Sequence, residues 1–355
     1  MLVWLLMLLG IVAVWIILPD ALGEKKKKLI FLCLAFAILV FIVGSRSEYS
    51  AANGDVYGYL KWYRRAIWMS SVDYLQYDAM EKGYLILNDV LAWFVPWDRF
   101  ILYFQAALCT GIMFWYLYRN VDNVFLAVIV YICLGSWQFF LTAFRQSIAI
   151  CICLIAFEFI KKKKLSSDIA GVLLVALATT IHTTAWVCLI VFLLRRFRLG
   201  KWFIIFCALA VLAVSFVVDD LVEFVNDTLG RTYEAHSQHG NVFAGVIPIL
   251  IYVVTLMLCY LAWRYNNSFA DEYSFEIKIL ALGLCLYFFR YNTTVFERIS
   301  FYFTPVIAVL LPASIERQKL KSERKVIKGF CIGLCVLLFM YRVVQQYGEY
   351  RFYWS

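Results

Sequence analysis

The sequence predicts an all-α, polytopic membrane protein of about 12 transmembrane or half-spanning helices, with a long outer loop after the second span. Three observations predict it. First, 64% of the 355 residues are hydrophobic and 16% are charged, against roughly 45–50% and roughly 25% in soluble domains. Second, the apolar residues come in blocks nearly free of charge, at 1–18, 29–43, 100–117, 149–159, 202–218 and 326–340. Runs of about 17–25 such residues match the hydrocarbon thickness of a bilayer. Third, Lys and Arg gather in short clusters at 25–28, 119, 161–164, 195–201, 264 and 317–328, which the positive-inside rule assigns to the cytoplasm. The strict alternation of a membrane β-barrel is absent.

With the N-terminus outside, the blocks alternate sides. Span 1 (2–18) lacks a charged leading region and an Ala-x-Ala exit, so it reads as a span and not a leader. Span 2 (29–44) leads into the outer loop 45–97. Within that loop 84–95 is apolar but only about 12 residues long, which suits a helix lying on or dipping into the outer leaflet. Span 3 (100–118) returns inside. Spans 4 (123–135) and 5 (139–160) follow, and 169–181 and 184–194 are two short helices that leave and return. Span 8 (202–218) precedes a second outer loop, 219–242. Spans 9 (245–263), 10 (277–289), 11 (299–311) and 12 (326–342) complete the chain, whose tail, 343–355, ends outside. Twenty of the 33 Lys and Arg then lie inside and 12 outside, with Lys278 at a boundary. No repeat or flexible linker appears, so residues 1–355 read as a single integral membrane domain.

Two segments do not fit simple spans. Residues 125–160 are too long for one crossing and short for two, and hold Gly135, Arg145 and Gln146 in their middle. Residues 169–194 have Thr179, Thr180, His182, Thr183 and Thr184 at their centre. Short helices broken by polar residues are tolerated in a membrane where they are buried in protein or line a wet cavity.

The polar residues at membrane depth are the candidate functional ones. A charge there costs about 2.5–3.5 kcal/mol on insertion scales. Arg145, about two turns below the outer surface, either pairs with a loop carboxylate to fix packing or serves as a fixed cation for an anionic ligand, with Gln146 as a second donor. His182 closes a short helix at the outer side. It is either satisfied by Thr179 or Thr183, or acts as a general base near neutral pH. Arg290 and Arg298 flank the turn between spans 10 and 11. With Arg46 and Arg145 they make four outer-side guanidiniums, whose planar forks suit phosphate oxygens. The outer loop interleaves Asp55, Asp73, Asp78, Glu81 and Asp89 with Tyr49, Tyr57, Tyr59, Trp62, Tyr63 and other aromatic residues. Aromatic planes stack on sugar faces while carboxylates bond hydroxyls. The same aromatics also suit a membrane interface.

Other chemistries lack a signature. The 11 cysteines fall mostly in apolar runs, where they act as small hydrophobes, and Cys151 and Cys153 have the wrong spacing for a metal pair. Of the three histidines, His236 and His239 lie far from His182 along the chain, which disfavours zinc. No phosphate-cradling glycine motif or zinc-protease motif occurs.

Taken in order, the motifs resemble those of the EpsG-like, Wzy-type bacterial polysaccharide polymerases. They are Arg46 followed by Asn53-Gly54-Asp55-Val56-Tyr57-Gly58-Tyr59; Glu81-Lys82-Gly83-Tyr84; Arg145-Gln146-Ser147-Ile148-Ala149; Ala178 through Ala185 around His182; and Arg298 before an aromatic-rich span. They cover roughly residues 44–312, with little support from 202–275, and Thr183 stands where the family usually has Ser. The resemblance implies a multi-pass protein of the bacterial cytoplasmic (inner) membrane. It implies an enzyme that polymerises oligosaccharide repeat units linked to undecaprenyl diphosphate on the outer face, making O-antigen, capsule or exopolysaccharide. His182, Asp55 and Arg145 are then the expected catalytic residues. Arg46, Tyr57, Tyr59, Glu81, Gln146, Arg290 and Arg298 are the expected substrate-binding ones. The expected partners are the lipid-linked oligosaccharide, membrane lipid and a chain-length regulator; no cofactor, metal or nucleic acid is expected. The rival readings are a lipid-linked oligosaccharide flippase, which would want two similar halves, and a glycan ligase of similar chemistry. A multispan acyltransferase would need an early histidine motif, whereas the first histidine here is His182.

Overall fold

The computed structural model describes residues 2–48, 55–78, 80–200, 202–209, 211–213, 215–216, 242–291, 294–347 and 349–354. The expected Tyr49, Asn53 and Gly54, and residues 219–241 of the second outer loop with His236 and His239, lie outside these. The chain is all-helical, with 83% of it in helix and no strand among the described residues. The described residues form two compact units, 1–186 with 330–355, and 187–329. By length and composition four helices can cross a membrane: Glu24–Gly44, Phe100–Asn120, Val246–Tyr265 and Lys321–Gln345. The pair Val124–Cys133 and Ser136–Thr142, bent by 52°, has the composition of a broken span or a re-entrant loop, and makes a fifth if it is one span.

In the first unit α1 (Leu2–Ile17) packs on α2 (Glu24–Gly44). Within residues 45–97, expected as an outer loop, the described residues form α3 (Val56–Trp68), α4 (Ser71–Leu75) and α5 (Lys82–Phe94). The next helices are α6 (Phe100–Asn120), α7 (Val124–Cys133), α8 (Ser136–Thr142), α9 (Phe144–Ile160) and α10 (Leu165–Ile181). Helix α9 packs between α6 and α10. Ile148, Ile150, Cys151, Leu154 and Phe157 are buried on all its sides. The outward faces of α1 and α10 are instead apolar and exposed, through Leu2, Leu6 and Leu9 and through Ile169, Leu173 and Leu177. Such faces suit hydrocarbon, since burying a side chain of this size gains about 1.5–3 kcal/mol over leaving it in water. At one end of the unit Lys28 reaches Asp122 at 3.4 Å and Arg119 reaches Glu158 at 3.8 Å, so the basic connections meet there.

The anomalous segment 125–160 is broken twice, at Leu134–Gly135 and at Ala143. Gly135 has φ 108°, a conformation that favours glycine, and a Cβ there would sit 3.0 Å from the Arg342 guanidinium. Each break frees carbonyls, which cost several kcal/mol apiece if left unpaired in hydrocarbon. Three side chains satisfy them. Arg342 donates to the carbonyls of Cys133 at 2.7 Å and Leu134 at 3.2 Å, and Gln105 donates to Phe140 at 2.7 Å. Arg46 donates to Leu141. The second break starts α9 at Phe144 and sets Arg145 in its first turn.

The C-terminal tail ties down residues 45–47 at the end of α2. The Ser47 amide donates to Arg351 at 2.8 Å and the Tyr353 amide donates to Ser45 at 3.0 Å, around a bridge between Arg46 and Phe352. The Tyr350 hydroxyl donates to Ile42 at 2.8 Å, and Trp97 packs edge-on to Tyr353. Ending the chain after Tyr347 removes several hydrogen bonds worth about 0.5–1.5 kcal/mol each. Hydrogen exchange of the purified protein is therefore expected to speed up at residues 45–48. Unchanged protection there would mean that the loop is held without the tail.

The second unit contains a short helix α11 (Ile190–Leu194), helical residues 202–209, α12 (Val242–Tyr265), α13 (Asn267–Phe288), α14 (Thr294–Ser300) and α15 (Ile307–Glu316). Helix α13 packs on α12 and α14, and α12 packs on α15. The expected span 299–311 is interrupted here by the 3-10 turn Thr304–Val306, where Pro305 lacks an amide donor. Helix α16 (Lys321–Arg342) follows, and its residues from Phe330 belong to the first unit.

Candidate functional site

Three segments distant in sequence meet around one carboxylate in the first unit. Glu81 is the N-cap of α5, with extended backbone at φ −61° and ψ 136°. Arg145 lies in the first turn of α9, and His182 is the C-cap of α10, also extended, at φ −152° and ψ 113°. Arg145 donates through Nη1 to Glu81 Oε2. On the other oxygen, Oε1, His182 Nδ1 lies at 3.2 Å, the Thr183 amide at 3.3 Å and the Thr183 hydroxyl at 3.4 Å. The three charged side chains are only 10% (Glu81), 18% (Arg145) and 14% (His182) exposed. Burial raises the Glu81 carboxyl, but the His182 ring beside it and the Arg145 charge more than offset that and hold the group well below the usual carboxylate range. Glu81 is thus an anion.

Aromatic rings brace the cluster. Tyr59 is within hydrogen-bonding reach of Arg145. Its ring stacks on Phe144, with centroids 4.6 Å apart and planes at 1°, and meets Tyr84 edge-on at 5.9 Å. Such pairs contribute about 0.5–1.5 kcal/mol beyond area burial. Beyond Phe144 lies the Arg46 guanidinium, 5.8 Å from its ring centroid. Arg46 is 1% exposed, so it reaches the cluster through Phe144 and Tyr59 and not by its own contact.

Helices α5 and α10 approach closely because of Gly83. A Cβ there would lie 2.3 Å from the Thr180 hydroxyl and 2.5 Å from its carbonyl oxygen. The backbone of α10 cannot yield without moving His182, two residues on. Gly83→Ala is expected to cost about 1–3 kcal/mol through overpacking and to pull Glu81 from His182. Thermal unfolding in detergent would read the first effect and polymer yield the second. A wild-type melting temperature would show that the helices tolerate a methyl group.

Of the expected residues, the structure joins Glu81, Arg145, His182 and Tyr59. Gln146 is buried beside Arg145 on α9. Asp55 and Tyr57 are exposed at the start of α3. Among the described residues no hydrogen bond or ion pair links the Asp55 side chain to the cluster. Arg145 has the loop-carboxylate partner that one reading gave it. His182 does not rely on the threonines expected to satisfy it: Thr179 donates to Ala176 at 2.6 Å, and Thr183 donates to Glu81. Sequence reasoning missed Thr183 as a ligand of Glu81, and it missed Glu81 as the hub. The signal available was that Glu81 and His182 both lie in motifs that carry the family resemblance.

Arg290 and Arg298 belong to the second unit. Arg290 contacts the Tyr287 hydroxyl and lies 3.4 Å from Glu297. Burial raises the Glu297 carboxyl despite the opposing charges of Arg290 and Arg298.

Among the described residues no group of three or more His, Cys, Asp or Glu could hold a metal ion. In comparison with known proteins, the model of the EpsG family matches residues 29–354. No curated protein and no solved structure matches the chain significantly. The family suggests a polysaccharide polymerase-type role with glycosyltransferase-like activity.

Proposed function

We propose, because this chain belongs to the EpsG family, that it polymerises oligosaccharide repeat units carried on undecaprenyl diphosphate. The reaction takes place at the outer face of the bacterial cytoplasmic membrane. A hydroxyl of an incoming lipid-linked unit attacks the anomeric carbon of the growing chain. The bond from that carbon to the lipid diphosphate breaks, and its electron pair leaves with the diphosphate. Arg145 stabilises the charge gathering on the leaving group, and His182 accepts the hydroxyl proton. Asp55, exposed and outside the cluster, is the weaker candidate for that base. Tyr57, Tyr59, Glu81, Gln146, Arg46, Arg290 and Arg298 remain proposed substrate contacts. The wider reading includes about twelve transmembrane or half-spanning helices, counting shorter apolar ones such as Leu2–Ile17, Leu165–Ile181 and Thr304–Glu316.

One observation carries this reading. A buried arginine and a histidine converge on one buried carboxylate, and Arg145 still has a buried Nε–H with no hydrogen-bond partner among the described residues. Preorganised cations in such surroundings stabilise developing charge by several kcal/mol. The test is to delete the gene and run the surface glycan on a gel. A polymerase deletion leaves single repeat units attached to their acceptor. No surface glycan at all would favour the flippase, and polymer left on the carrier lipid would favour the ligase.

A further inference from the structure

We infer that Glu81 is the positioning residue for His182, fixing its ring with the proton on Nδ1 so that Nε2 is the nitrogen that receives the proton of the attacking hydroxyl. The inference rests on the reading of His182 as the base. Its geometry is independent of that reading. A neutral imidazole carries one N–H, and the partner of the other nitrogen decides which. A carboxylate can only accept, and Glu81 Oε1 lies 3.2 Å from Nδ1, off the line of an aligned N–H···O bond. At that distance the carboxylate charge repels a lone pair and attracts a proton, which favours the proton of a neutral His182 on Nδ1 and leaves the Nε2 lone pair for chemistry.

Glu81 is itself held on both oxygens. Arg145 fixes Oε2, while the Thr183 amide and hydroxyl converge on Oε1 with the imidazole. Thr183 follows His182 directly, so a single carboxylate grips both the ring and the backbone that carries it. The chain there is extended and has just left α10. Without that grip nothing in the helix dictates where the ring points, since Thr179 and Thr180 donate to carbonyls of their own helix at 2.6 and 2.8 Å.

The step balances. The hydroxyl oxygen forms the new bond to the anomeric carbon as its proton passes to Nε2, and the old bond's electrons leave with the diphosphate. The resulting imidazolium, protonated on both nitrogens, faces the Glu81 anion, which stabilises it. The proton then passes to water. In a hydrolase triad of the same logic, removing the charge of the orienting carboxylate lowers turnover by about 10⁴-fold through the wrong tautomer.

Two measurements test this. The chain has three histidines, so ¹⁵N-histidine labelling in detergent gives a tractable spectrum in which His182→Ala identifies the His182 signals. Wild-type protein is expected to show the neutral ring protonated at Nδ1, and Glu81→Gln to show that preference lost. An Nε2-protonated ring in the wild type, or identical spectra in both proteins, would overturn the proposal. The second measurement is turnover in proteoliposomes, using lipid-linked repeat units extracted from a strain lacking the gene. Glu81→Gln is expected to lower turnover by about 10²–10⁴-fold with the apparent KM within about threefold, and the double variant with His182→Ala to be no slower than His182→Ala alone. Multiplying losses would mean that Glu81 works apart from His182, which sinks this proposal and spares the base. Full turnover by His182→Ala would sink the base itself. If Glu81→Gln does not fold, Glu81→Asp keeps the charge and shortens the reach. Its loss, about 10²-fold, is expected to vanish in the same cycle.

Discussion

Replacing Arg145 by alanine is expected to abolish long polymer while the protein still inserts in the membrane. Two effects combine in that variant, and their sizes differ. Losing a preorganised donor to developing charge lowers turnover by about 10²–10³-fold. Losing the partner of a buried carboxylate costs about 3–5 kcal/mol of stability, because Glu81, only 10% exposed, would keep its charge with the hydrogen bonds of Thr183 and the nearby His182 ring alone. Arg145→Lys separates the two. It keeps the positive charge opposite Glu81, and so most of the stability, but offers a point charge where a fork is needed to serve Glu81 and a phosphate together. The lysine variant is expected at near wild-type level with polymer reduced at least tenfold, read on a gel of surface glycan at matched protein. Normal chain length from either variant would remove Arg145 from the reaction.

The His182→Ala variant is expected to behave in the opposite proportion. Turnover falls by about 10²–10⁴-fold, the usual contribution of a positioned general base. Stability falls little, by about 0.5–1.5 kcal/mol for one polar contact, since Glu81 keeps Arg145 and Thr183. The variant should therefore melt close to wild type while making only single repeat units. A large loss of melting temperature with polymer retained would make His182 a structural residue, a clamp for the end of α10.

Much of this site was legible in the sequence because charge in an apolar run is expensive. Arg145 stands out on that ground alone, His182 because polar residues interrupt its short helices, and the segment around Arg145 is visibly the wrong length for its spans. The partner was not legible. Glu81 is 64 residues from Arg145 and 102 from Thr183, and no periodicity encodes contacts at that range. The same limit hid the repair of the broken span: Arg342 reaches back 209 residues to cap Cys133, yet in sequence it only ends the last span. That arginine suits phosphate marks Arg46 in the sequence, but its bond to the Leu141 carbonyl at the second break and its place behind Phe144 required the fold. Gly83 was legible as part of a motif; its reason, the Thr180 backbone against it, required the fold. The helices of the outer loop were partly legible. Tyr84 to Val95 was apolar enough to read as a helix, whereas α3 mixes tyrosine, lysine and arginine along its length.

The most direct test of the central claim is a cryo-EM map of the protein with its lipid-linked repeat unit bound. The account predicts the diphosphate against the Arg145 guanidinium, with a sugar hydroxyl beside His182 Nε2. A diphosphate held instead at the opposite end of the unit, among Lys25–Lys28 and Lys161–Lys164, would contradict it.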